Sequence, residues 1–322
     1  MWSPAAALDV SRNGSLPAAV DWNAAGAVTP VKDQGQCGSC WAFSAVGALE
    51  GAAFLAGGEL ISLSEMELVN CGWAVAPNKN DLQGCGGGEM YEALNWVYNN
   101  SGIATEDAYP YQDFDGHCNY QKRTLKVVTL EQAPGYAMVP PADPQAMLAA
   151  IATQPVSIGI DASGDDFQTY DGGVFIGSCG DRLEDLDHGV LAVGYNQKEH
   201  TVLVKNSWGG DWGDDGYITF NFEFDRDAGP CGMNQQGAVP VGAAEPAYVA
   251  PAPPPSPECS RSYSCDYGET CCCEHTVLDI CFKWSCCEAG QVCSDDAVGG
   301  DWTGAGALLA PITSTATCQA AQ

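Results

Sequence analysis

Gln34-Gly35-Gln36-Cys37-Gly38-Ser39-Cys40-Trp41-Ala42-Phe43-Ser44 is the stretch on which the reading of the whole chain turns. Cys37-x-x-Cys40 on its own fits a redox pair or half of a zinc site. Zinc needs a second ligand pair, and Cys71 and Cys85 are not spaced as one. A redox pair expects a strand just before it, and Val28-Thr29-Pro30-Val31-Lys32 is a poor one. A third reading fits better. Cys40 opens the apolar run Trp41 to Glu50, which reads as a helix with Ser39 as its cap. A thiol at a helix start meets free N–H groups and the positive end of the dipole, which favour its anion. Gly35 and Gly38 keep side chains out of the way.

Working outward, the chain has 322 residues, 46% apolar and 16% charged, a globular composition. It carries 41 acidic and 12 basic residues, a net charge of −29. That balance excludes nucleic-acid or anionic-membrane binding as the main role, since both need clustered Lys and Arg. It also suits an acidic medium, where self-repulsion is partly relieved. No run approaches the roughly 20 apolar residues of a membrane span. The first nine residues have neither the basic head nor the apolar run of a signal peptide, so a leader is expected to have been removed.

Seventeen cysteines point away from a reducing compartment. Seven lie between Cys37 and Cys231, and ten lie between Cys259 and Cys318. Seven can make three disulfides and leave one thiol, which is then a candidate for reactivity. Between the two groups, Ala244 to Glu258 holds six prolines in fifteen residues and reads as a semi-rigid spacer. Upstream of it, residues 16–243 start with helical signals. Ser64 to Glu67 has capping-box spacing ahead of Met66 to Val69, and Glu89 to Tyr98 reads as a third helix. The later half is strand-like, in Val156–Ile160, Gly189–Tyr195, Thr201–Val204 and Tyr217–Phe220. Helices first and strands later predict an α+β fold of two lobes with a cleft between them.

The Cys40 segment resembles that of the papain-like cysteine proteases, whose Cys-Gly-Ser-Cys-Trp signature it contains. Other motifs follow in family order. Leu186-Asp187-His188-Gly189-Val190 is similar to the histidine segment, 148 residues after Cys40. Lys205-Asn206-Ser207-Trp208-Gly209 with Trp212-Gly213 is similar to the asparagine segment. Pro17 to Gln34 resembles the start of the mature enzyme, and Gly84 to Gly88 the substrate-binding glycines. The resemblance spans nearly all of 16–243. It implies a helical N-terminal lobe, a β-barrel-like C-terminal lobe and a cysteine endopeptidase without cofactor or metal.

The same resemblance assigns roles. Cys40 would be the nucleophile, His188 its imidazolium partner and later the acid, and Asn206 the holder of His188. Gln34 would donate its amide to the oxyanion together with the Cys40 N–H. Trp208 would screen the His188–Asn206 bond, and Trp212 would wall the leaving-group side. Gly87 and Gly88 would offer backbone to an extended peptide. Glu89, Met90, Gly159, Leu186, Gly189 and Gln236 would line the main specificity pocket, which favours an apolar or aromatic side chain two residues before the cut. Glu89 and Gln236 depart from the family pattern there and would admit a basic side chain. Asp187 reads as structural. The implied disulfides are Cys37–Cys85, Cys71–Cys118 and Cys179–Cys231, which leaves Cys40 free.

Beyond the spacer, Cys259 to Cys293 resembles the first part of a granulin domain, a small module held by disulfides. Residues 294–322 form a divergent Ala/Gly/Thr-rich tail, and residues 1–15 read as the end of a pro-segment or an added start. A metal role for Cys271-Cys272-Cys273 with His275 is set aside, because cysteines so dense in a secreted chain oxidise. Expected partners are protein and peptide substrates, the chain's own pro-segment and cystatin-like inhibitors, with the enzyme a monomer. The expected setting is lysosomal, vacuolar or extracellular, reached by the secretory pathway. Two rival readings share the sequence: a protease-shaped scaffold that binds partners through its cysteine module, and a peptide ligase using the same site. The joint presence of Cys40, His188, Asn206 and Gln34 argues against the scaffold.

Overall fold

The computed structural model describes residues 16–75, 82–119, 126–223 and 226–243, with the backbone of strand segments between 258 and 320. The chain divides into two compact units, Met1–Tyr248 and Val249–Gln322. In the second, Glu258–Ser260 pairs with Tyr263–Ser264, Thr270–Val277 with Ile280–Cys287, and Gln291–Asp295 with Ala316–Ala320, all antiparallel. Residues 1–15, most of the 244–258 spacer, most of the 294–322 tail and the side chains of the granulin-like stretch lie outside the described residues.

The first unit is built around helix α1 (Cys40–Leu55), which is buried along Trp41 to Ala53. A helix buried on every face needs small residues wherever a neighbour comes close. Here Ala42, Ala45, Gly47, Ala48, Gly51 and Ala52 supply them. A Cβ at Gly51 would stand 2.6 Å from Pro155 Cγ and 3.2 Å from the Ala27 carbonyl. One core lies on the helical side, where Trp41, Ala45, Val46 and Leu49 of α1 pack with α2 (Glu65–Val75) and α3 (Met90–Asn99). On its other side α1 meets the sheet, with Ala48 packed among Val28, Leu191 and Val193.

Strands β1 (Ala19–Asp21), β4 (Tyr136–Met138), β5 (Val156–Ile160), β6 (Val174–Phe175), β7 (His188–Asn196), β8 (Thr201–Lys205), β9 (Tyr217–Asn221) and β10 (Gly237–Pro240) form one sheet. Its order is β4-β10-β5-β7-β8-β9-β6, with β1 on β7, and every pair is antiparallel except β6–β9. A second core of Ile158, Phe167, Ala192, Val204, Ile218 and Phe220 fills its inner face. A separate small pair joins β2 (Ile103–Ala104) to β3 (Lys126–Val128). This is the expected α+β arrangement, with helices early in the chain and strands late.

Several local expectations need revision. Ser39 occupies the N-cap position of α1 but makes no capping bond; its hydroxyl pairs with Tyr111 at 2.6 Å. Ser64 does cap, accepting from Glu67 N at 3.0 Å. Glu67 does not complete the box. Its carboxylate instead takes the Ala104 N–H at 2.7 Å and the Asn100 amide at 3.1 Å, tying α2 to β2 and to the end of α3. Helix α4 (Pro144–Ile151) was not foreseen, although Asp143 accepting from Ala146 N and Pro144 in the first turn mark its start.

Gly51→Val is expected to destabilise the first unit by about 1–3 kcal/mol, the usual cost of overpacking a filled interior. Urea unfolding followed by tryptophan fluorescence measures it.

Candidate active site

Cys40 is the first residue of α1, and the chain reaches it through a tight approach. Cys37 is bonded to Cys85 with Cα atoms 4.6 Å apart, and Gly38 N donates to the Cys85 carbonyl at 3.1 Å. A Cβ on Gly38 would lie 2.6 Å from that carbonyl, so only glycine fits. The other bonded pairs are Cys71–Cys118 and Cys179–Cys231, and Cys40 is the free thiol among the described residues.

His188 opens β7, and Asn206 follows the last residue of β8, the adjacent strand. The sheet therefore sets them side by side, with His188 Nε2 and Asn206 Oδ1 2.8 Å apart. The same Oδ1 accepts the Ser207 N–H at 2.8 Å, which fixes it as the oxygen facing His188. Because Oδ1 only accepts, Nε2 carries the proton, and in the neutral ring Nδ1 is the nitrogen able to accept one. Burial drives the Cys40 thiol above its ordinary value, with N–H groups of Gly189 and Trp41 pulling the other way. Burial likewise lowers His188, opposed by its bond to Asn206 and by the Asp187 charge. Each charge is thus costly alone. A thiolate and an imidazolium formed together compensate one another.

Gln34 is buried with its polar groups engaged. Its Oε1 accepts from Ser207 Oγ at 2.7 Å, its N–H donates to Ser207 O at 2.9 Å, and its Nε2 donates to Cys37 O at 2.9 Å. One Nε2 hydrogen remains. Trp208 lies over His188, with ring centroids 4.7 Å apart. Phe167 stands behind this cluster, 5.5 Å from Trp208, 5.2 Å from Trp212 and 6.4 Å from His188, between ring centroids. Trp212 donates to Gln168 O at 3.3 Å.

A cavity of about 290 Å³ opens beside Cys40 and His188, lined by Gly87, Gly88, Glu89, Met90, Gly159, Leu186, Gly189 and Gln236 among others. Neither Gln34 nor the two tryptophans line it. Gly87 has φ 111°, and a Cβ on Gly88 would lie 2.7 Å from Trp41 Cδ2, so both glycines are required by the backbone and by packing. The two polar departures meet here, since Gln236 Nε2 donates to Glu89 Oε2 at 2.6 Å. Asp187 is structural in its bonding, taking the Ala162 N–H at 2.8 Å.

Beneath the site lies a buried charge cluster that the motifs do not announce. Lys32 donates to Glu50 at 2.9 Å and to Glu65 at 2.6 Å. Thr29 Oγ1 donates to Glu50 at 2.6 Å and accepts from Lys205, which also reaches the Thr29 carbonyl at 2.8 Å. Burial lowers Lys205 to about 8, with Glu50 opposing and Lys32 adding to the shift. Burial raises Glu65 to about 7 against the pull of Lys32. The sequence foresaw neither this cluster nor Phe167. Lys205 and Ser207 do lie inside the quoted asparagine motif, the one signal that pointed toward it.

The papain family cysteine protease profile matches residues 16–241, and the chain belongs to that family. It is 45% identical to "Probable cysteine protease RD21C" of Arabidopsis thaliana over 87% of this chain and 61% of that protein. It is 44% identical to "Cysteine protease 1" of Oryza sativa over 88% of this chain and 57% of that protein. It thus spans about six-tenths of the length of these relatives. Among solved structures, the ragweed pollen cysteine protease Amb a 11 in its proform aligns at TM-score 0.65 and 40% identity, over 72% of this chain and 68% of that one. The Carica candamarcensis protease CMS1MS2 in complex with E-64 aligns at 0.61 and 40%, over 70% and 99%.

Glu65 yields a stability prediction. Its folded value of about 7 exceeds the ordinary 4.5, so between those pH values the folded state holds more protons than the unfolded one. This group's contribution to stability is therefore complete below about pH 4.5 and is lost as pH rises toward 7. Thermal midpoints of Glu65→Gln are expected to show a flatter decline than wild type over that window.

Proposed function

We propose that the chain is a cysteine endopeptidase. The observation that carries this is a free thiol at the start of α1 sharing a cleft with His188, whose ring is bonded to Asn206 at 2.8 Å. In this reading His188 Nδ1 takes the Cys40 proton and the sulfur attacks the scissile carbonyl carbon. The carbonyl electron pair moves to oxygen, which the spare Gln34 hydrogen and the Cys40 N–H stabilise. The oxyanion collapses, the C–N bond breaks, and His188 gives its proton to the leaving amine. Water, activated by His188, then hydrolyses the thioester and returns the thiol. Asn206 holds the ring throughout, and Trp208 keeps water from their bond.

Substrates would lie extended along Gly87 and Gly88, with an apolar or aromatic side chain in the cavity of Met90, Gly159 and Leu186. Glu89 supports acceptance of a basic side chain there as well, since its carboxylate is held at the cavity wall by Gln236. Trp212 would meet the leaving-group side. Mildly acidic pH suits the high negative charge and a route through the secretory pathway to vacuole or extracellular space. The Amb a 11 structure is a proform, which supports a pro-segment as this chain's own inhibitor, beside cystatin-like proteins. An alignment of 287 residues to RD21C runs past the family match, and the cysteine spacing there supports a granulin-like module.

E-64 is the probe, because the papaya-relative structure contains it. One adduct on Cys40 with matching loss of peptide hydrolysis is expected, and none in Cys40→Ala. Folded protein that neither labels nor hydrolyses leaves the scaffold reading. Glu89→Ala is expected to lower kcat/KM about tenfold for arginine two residues before the cut, the scale of one charge-assisted hydrogen bond, and to spare leucine there.

A further inference from the structure

Tyr111 stands outside every motif that defines the site, yet its hydroxyl touches both ends of the segment that carries it. Tyr111 Oη is 2.9 Å from the Gln34 carbonyl and 2.6 Å from Ser39 Oγ. The carbonyl can only accept, so the tyrosine proton points at Gln34, and the Ser39 hydroxyl must in turn donate to Tyr111. The result is a directed chain, Ser39 O–H to Tyr111 O–H to Gln34 C=O, in which each bond polarises the next. It also explains why Ser39, at the N-cap of α1, leaves the helix N–H groups uncapped.

The placement matters because of what lies at the two ends. Gln34 holds the side-chain donor for the oxyanion, and Ser39 immediately precedes the Cys40 N–H, the backbone donor. Ser207 fixes the Gln34 side chain and its N–H, and Gln34 Nε2 reaches Cys37 O. Among the described residues, Tyr111 alone donates to the carbonyl of Gln34. Tyr111 is itself rigid. Its N–H donates to Glu106 at 2.6 Å, and its ring meets Phe43 edge-on at 4.8 Å between centroids. Ser39 is fully buried and Phe43 lies on α1, so the brace joins a fixed loop to the nucleophile helix.

We propose that Tyr111 is a positioning residue that sets the spacing of the two oxyanion donors by tying Gln34 to Ser39. This rests on the hydrolytic reading above. Its effect falls on steps that build an oxyanion and not on the intrinsic reactivity of the thiol.

The test compares wild type, Tyr111→Phe, Ser39→Ala and the double variant by three readouts. Alkylation of Cys40 by iodoacetamide across pH reports the thiol alone, since that displacement forms no oxyanion. Hydrolysis of a dipeptidyl amide gives kcat and KM separately. A peptide aldehyde, which the thiol adds to so that the carbonyl oxygen takes up the oxyanion position, gives an inhibition constant. Tyr111→Phe keeps the ring against Phe43, and Ser39→Ala breaks the same chain from its other end should the first fail to fold. The expected result is alkylation within twofold at every pH, kcat down about tenfold with KM within twofold, and aldehyde binding weakened about tenfold. These losses are smaller than the roughly hundredfold or more for removal of an oxyanion donor. The double variant should match the single ones, because both cut one chain. Parallel loss of alkylation and kcat, unchanged kinetics in folded variants, or additive losses would each overturn the proposal. A wild-type protein that alkylates but neither hydrolyses peptides nor binds the aldehyde removes the hydrolytic reading first, and this inference with it.

Discussion

Everything in the first unit depends on the burial of α1 between the helical core and the sheet. A sixteen-residue helix buried from Trp41 to Ala53 has no solvent face along that stretch, and its one charged side chain there, Glu50, is buried with it. Its small residues let the strands and the neighbouring helices come close, and the closeness is what brings Gly189 to the Cys40 backbone. A Cβ on Gly189 would stand 3.2 Å from Cys40 O. Cys40 therefore comes from the helical side, His188 and Asn206 come from the sheet, and packing along one helix sets their separation.

The site also shows how burial and reactivity are reconciled. Desolvation works against the charge on Cys40 and against the charge on His188 when each is considered alone. What makes the charged pair attainable is geometry: adjacent strands deliver an amide oxygen to Nε2, and the start of a helix delivers N–H groups to the sulfur. Trp208 lies over the His188 ring, and Phe167 packs against Trp208 from behind. The aromatic cluster and the hydrogen bond are complementary parts of one arrangement.

How much of this was legible beforehand depended on range. Strands Val156–Ile160 and Thr201–Lys205 were readable because their β-branched runs are buried and bounded by turn residues. The third helix was readable because its apolar period falls on one face. The motif residues around Cys40, His188 and Asn206 were readable because chemistry restricts them to particular residue types. Long-range partners were not. Nothing in the sequence says that Glu67 abandons a capping box to bind Ala104, or that Ser39 gives its hydroxyl to a tyrosine 72 residues away. Phe167 sits in a single-turn helix, Asp165–Gln168, too short to show an apolar period, so its place behind His188 emerges only from the packed sheet. The Glu89–Gln236 bond spans 147 residues and joins two positions that each looked like a separate departure.

The Lys32–Glu50–Glu65 cluster bears on how the chain must come together. Glu50 and Glu65 are each about 1% exposed at the side chain and belong to the first two helices. Lys32 belongs to the preceding loop, but Lys205 arrives on a strand more than a hundred residues later and completes the arrangement through Thr29. The same late strands supply Leu191 and Val193, which cover one flank of α1. During synthesis from the N-terminus, the helical half therefore emerges with acidic side chains short of a cation and with an apolar flank exposed. It has to wait in that condition until the sheet is made. The two lobes are consequently not separable folding modules, and the period between them is when the nascent chain is most exposed to proteolysis and to unwanted association.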